Sequence, residues 1–89
     1  MPTISVFYGL TVRMYYFDNI QHSTAHIHVH YQENSAVIEI PGGEVLEGRL
    51  PTRKQKLVDA WIEIHREELL EDWKLAVNGE SVFKISPLK

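Results

Sequence analysis

Residues 25–31 read AHIHVHY, which places His26, His28 and His30 at every second position. Successive side chains of a strand point to opposite faces, so the three imidazoles share one face and Ile27, Val29 and Tyr31 the other. Imidazoles at i and i+2 can share a metal ion, and zinc accepts imidazole nitrogen and carboxylate oxygen at about 2.0–2.2 Å. Glu39 is the nearest candidate third ligand. A two-residue turn at Glu33-Asn34 would set it opposite His28, with water completing an open zinc site on His26, His28 and Glu39. The same His26 or His28 could instead act as general acid or base, with Arg49 or Arg53 holding a phosphate, the arrangement of a ribonuclease-like enzyme. The plainest reading leads: three imidazoles, with an ordinary pKa of about 6.5, form the polar outward face of a strand.

The anion-binding half of that chemistry rests on RLPTRKQK, where Arg49, Arg53, Lys54 and Lys56 fall within eight residues. Three of them lie in the first turns of an expected helix, where free backbone amides and the helix dipole favour anions. From residue 51 onward, however, the chain holds seven basic and seven acidic side chains, so a solvated mixed-charge face is the simpler reading of the stretch. HIHVHY also matches the short histidine motif of the histidine triad nucleotide hydrolases. That motif lies late in those chains, after a helix, whereas here the helices follow it and the next residue is the polar Gln32.

The elements that must position these residues are legible from period. TISVFYG, VRMYYFD, HIHVHY, AVIEI and EVLE are short runs rich in β-branched and aromatic residues, parted by Gly9, DNIQHST, QENS and PGG. They predict an antiparallel meander. At 41–43, Pro41 presets φ and Gly42 is expected at the positive φ of a type II turn. Burial requires Ala36, Ile38 and Ile40 to share the face of Ile27, Val29 and Tyr31, which leaves Val37 and Glu39 with the histidines.

After Pro51 the apolar spacing changes to three and four. Leu57, Val58, Trp61, Ile62 and Ile64, then Leu69, Leu70, Trp73, Ala76 and Val77, mark an amphipathic helical region, with Asp59, Glu63, Glu67, Glu68, Glu71 and Asp72 on its other side. A break near His65 divides it into two helices over residues 52–78, in preference to one bent helix, and Asn78-Gly79 stops it. SVFKI at 81–85 is expected to add a last short strand. The predicted fold class is α+β: a small β-meander packed on a C-terminal helical pair, with Trp61 and Trp73 as core anchors.

Composition bounds the function. A chain of 89 residues forms one domain, 1–89, and 44% hydrophobic residues are enough for a modest core. With no cysteine, disulfides and thiolate chemistry are excluded and any metal must sit on His, Asp or Glu. A net charge of −3 speaks against a general nucleic-acid binder. Residues 1–48 carry a single basic side chain, Arg13, against five acidic ones. No run of apolar residues is long enough for a membrane span and no leader is visible, so the expected location is cytoplasmic.

MPTIS-x-FYG, R-x-YYFD, the HIH pair, AVIEI, GEVLEGRLP-x-R, LV-x-x-W, HREELLEDW-x-LA and KI-x-PL, in that order, resemble the bacterial domain-of-unknown-function family 4160. By that resemblance His26 and His28 match a histidine pair usual in the family, while His30 stands where relatives commonly carry another residue. The resemblance implies a short protein encoded beside a second small one, in a toxin-antitoxin-like two-gene arrangement, and with it a protein partner. The leading expectation is therefore a protein-interaction module that binds a partner or a second copy of itself. An enzyme using His26 and His28 comes second and a DNA-binding regulator third.

Overall fold

A computed structural model describes residues 2–16, 24–40 and 42–88. Five strands follow in chain order: β1 (Thr3–Phe7), β2 (Leu10–Arg13), β3 (His26–Tyr31), β4 (Asn34–Glu39) and β5 (Val45–Gly48). Each pairs antiparallel with the next, so spatial order equals sequence order. Two helices come after them, α1 (Thr52–Ile64) and α2 (Arg66–Val77). This is the α+β meander and helical pair that the change of period predicts.

Alternation decides the faces except in β1, where the register shifts between Thr3 and Ser5 and both Ile4 and Phe7 are buried. Ile4, Phe7, Leu10, Val12, Ile27, Val29, Ala36 and Ile38 turn inward and are buried. Val58, Trp61, Ile62, Leu69 and Ala76 meet them from the helices. Trp61 is fully buried, its ring 5.2 Å from that of Phe7, and its indole N–H donates to the Ser86 carbonyl at 2.8 Å. Trp73 is only partly buried, and Ile64, placed on the apolar stripe by spacing, is 65% exposed where α1 ends.

The connections depend on backbone geometry. Tyr8 and Gly9, at φ 49° and 80°, form a two-residue hairpin turn with both residues in the left-handed region, so β1 ends before the expected YG. β2 likewise stops at Arg13, short of the VRMYYFD run, whose last two residues fall outside the described ones, as does most of the DNIQHST loop. In the next turn but one the left-handed residue is Gly43, at φ 78°, and not Gly42; Pro41 is outside the described residues. Between the helices, His65 takes φ −108° and ψ 23°, accepts from the Leu69 N–H and donates to the Trp61 carbonyl, which is the break expected there. After α2, the Glu80 N–H reaches the Leu75 carbonyl and the Gly79 N–H that of Ala76, with Gly79 at φ 74°, a Schellman stop.

The segment 81–85 is not a strand. Its backbone meets β1 through one bond, from Ile85 N–H to the Ile4 carbonyl at 2.8 Å, and a ladder needs a repeated pattern.

Candidate functional site

The outer face of the sheet carries the side chains with chemistry. Register aligns Arg13 of β2 with His28 of β3, His28 with Val37 of β4, and Val37 with Glu47 of β5. One rung along, Thr11, His30 and Ser35 are in line. The faces are those expected, but the register is one pair off: the turn is Gln32-Glu33, so Glu39 stands opposite His26 and not His28. A shift of two residues keeps every side chain on its face, which is why burial could not select between the two registers.

His26 corrects the expectation of three outward imidazoles. It is 1% exposed, because the start of β3 lies beneath α2, where its ring stands 4.8 Å from that of Trp73. Its Nδ1 lies 2.7 Å from the Thr24 carbonyl oxygen, which can only accept, so Nδ1 carries a proton. His28 and His30 are partly buried. The His28 ring meets Tyr15 edge-on at 4.3 Å and the His26 ring at 5.4 Å. His30 has its Nε2 closed off from solvent with no hydrogen-bond partner. Desolvation, then the charge of Arg13 and then that of His28, hold the His30 imidazole below its ordinary pKa.

Among the described residues no group of three or more His, Asp or Glu side chains is placed to hold a metal ion. The zinc set read from His26, His28 and Glu39 thus has one member buried under Trp73 and its carboxylate across from that buried ring. His28 and His30 line a shallow depression with Ser35, Val37, Glu47 and Gly48.

The basic stretch is divided. Lys54 is occupied, its Nζ donating to the Tyr8 carbonyl at 2.9 Å and standing 4.9 Å from the centre of the Tyr31 ring. Arg49, Arg53 and Lys56 are exposed at the start of α1, which has no side-chain cap. Arg49 and Lys56 line a depression with Leu50, Thr52 and Gln55, on the far side of Gly48 from the histidines. The phosphate candidates and the imidazoles therefore border different hollows.

Two features escaped sequence reasoning. Arg13 is the cation that faces His28 and His30, and its only sequence signal is being a charged residue within an alternating strand. Asp72, assigned by spacing to the wet side of the helical region, is 2% exposed. It sits between Leu69 and Ala76 at helical spacing, a carboxyl on the buried stripe. Its Oδ1 accepts the Phe83 N–H at 3.0 Å and its Oδ2 is buried without a partner. Burial raises the Asp72 pKa; the Phe83 bond opposes that rise and Glu68 adds to it. Asp72 lines a groove of about 720 Å³ between α2 and the C-terminal segment, walled by Leu70, Trp73, Phe83 and Ile85. Glu67, Glu68 and Glu71 stand on its α2 side, and the Phe83 ring at its mouth is 72% exposed.

A family model described as a domain of unknown function (DUF4160) matches residues 9–74, well over half of the chain. No curated protein and no solved structure matches it.

Proposed function

Given that the chain belongs to the DUF4160 family, whose description assigns no activity, we propose that it is a protein-interaction module that docks a partner in the groove between α2 and the C-terminal segment. The observation that carries this reading is Phe83, 72% exposed beside the apolar wall of Leu70, Trp73 and Ile85. A large aromatic left in water next to an apolar groove is the usual form of a binding hot spot. Glu67, Glu68 and Glu71 share the rim with Lys74 and Lys84, Lys74 standing 3.5 Å from Glu71, so the rim favours a partner segment that brings apolar side chains flanked by charges of both signs. A second small protein from a two-gene, toxin-antitoxin-like arrangement fits this description.

The test is co-purification from the native cell, with wild type and Phe83→Asp compared. Wild type is expected to recover one protein in fixed proportion, bearing an apolar segment, and Phe83→Asp to weaken that complex about 30-fold, the cost of losing a hot spot of about 2 kcal/mol. The reading fails if no partner is recovered, or if a folded Phe83→Asp variant holds it equally well.

A further inference from the structure

We propose that the outer face of the sheet binds an oxyanion of the phosphate class, with Arg13 as its charge partner and His28 and His30 beside it. This site is built from other residues than the α2 groove and does not depend on it.

Arg13 is partly buried in the middle of a sheet, and among the described residues its guanidinium has no carboxylate within ion-pair distance and donates to no acceptor. Its Nε is closed off from solvent with its N–H unmatched. A guanidinium that has lost part of its hydration and gained no counter-charge is held at a cost, and an anion would relieve it. The charge reaches its neighbours, since it acts on His30 on the adjacent strand.

The surroundings suit an anion of that size. His28 stands directly opposite Arg13, and His30 opposite Thr11 on the next rung. With Ser35 at the other side of His30, the face presents a cation, two imidazoles and two hydroxyls in two adjacent rows. The one carboxylate in the Arg13 row is Glu47, three strand spacings away, roughly 14 Å at about 4.8 Å per strand. Its side chain nevertheless lines the depression beside His28 and His30, so the ion is placed at the Arg13 end of the row, away from that carboxylate. The arginine fork matches the paired oxygens of phosphate or carboxylate, and an imidazole can donate to a further oxygen. Neutralising Arg13 also removes one of the causes that disfavour a proton on His30, so anion binding and protonation of His30 are linked in the same direction.

Inorganic phosphate and, separately, acetate are titrated into the isotope-labelled full chain while the Arg13 Nε and imidazole resonances are followed by NMR. Saturable shifts at Arg13, His28 and His30 are expected with phosphate, together with a rise in the His30 titration midpoint. Both effects should disappear in Arg13→Gln and weaken in Arg13→Lys, which keeps the charge but loses the fork. Phosphate alone acting assigns the site to phosphate groups, whereas acetate acting equally assigns it to oxyanions in general. Absence of saturable change at tens of millimolar phosphate overturns the proposal. So does binding that persists undiminished in a folded Arg13→Gln or Arg13→Lys variant.

Discussion

Asp72 shows how much one side chain can depend on where it is buried. A carboxyl closed off from water favours its protonated form, and the folded-state pKa lies above the ordinary 3.8. For an acid raised in this way, the unfolded chain ionises more readily, so the associated stability is complete below the unfolded pKa and is lost as pH rises through the folded one. Asp72→Asn keeps an acceptor for the Phe83 N–H and cannot ionise. Urea unfolding from pH 4 to 8 should find the variant gaining on the wild type as pH rises, and a wild type that gains instead would refute the assignment. The spacing of Leu69, Asp72 and Ala76 hinted at this position, since the three share one helical stripe. What spacing lacked was the cover that Phe83 and its neighbours provide, eleven residues further on.

At the level of elements, the strands and helices were legible because their signals are local. Period two marks each strand, period 3.6 each helix, and Gly79 stops α2 by adopting a φ of 74°. Ladder register was less legible, because hairpins of Glu33-Asn34 and Gln32-Glu33 give identical faces and differ only in which residues are opposite. The end of β5 has a sharper requirement. Gly48 sits at φ 74° and a Cβ there would overlap the Ser35 carbonyl, while the Arg49 N–H donates to that same oxygen at 2.9 Å. Gly48→Ala therefore combines a left-handed backbone with a clash against β4. A loss above about 2 kcal/mol is expected in urea unfolding, more than the left-handed conformation alone costs at an open position. Gly79→Ala, at the same φ and with no close neighbour around its position, provides the comparison and should lose about 1 kcal/mol.

Across the molecule, three bonds among the described residues pin the C-terminal segment: the Phe83 N–H on Asp72, the Ile85 N–H on Ile4, and the Ser86 carbonyl on the Trp61 indole. These bonds join the two ends of the chain through the central tryptophan, and they complete one wall of the α2 groove. Trp61→Phe keeps much of the core ring and removes the bond to Ser86. A cost of about 1–3 kcal/mol is expected from the smaller ring and the lost bond together. Amide exchange should then rise at Ile85 while β3 and β4 stay protected; unchanged exchange at Ile85 would show that the indole bond does not hold the segment. By itself the sequence determined the order of the five strands and the helical region after them and the face of most strand residues, and it favoured a division of the helices near His65. All of these follow from spacing within a few residues. Only the tertiary structure decided that His26 lies under Trp73, that Asp72 is buried, that Arg13 and not the 49–56 stretch faces the histidines, and that residues 81–85 close a groove without forming a strand. Each of those depends on contacts between residues distant in the chain, and local periodicity carries no information about which distant surfaces meet.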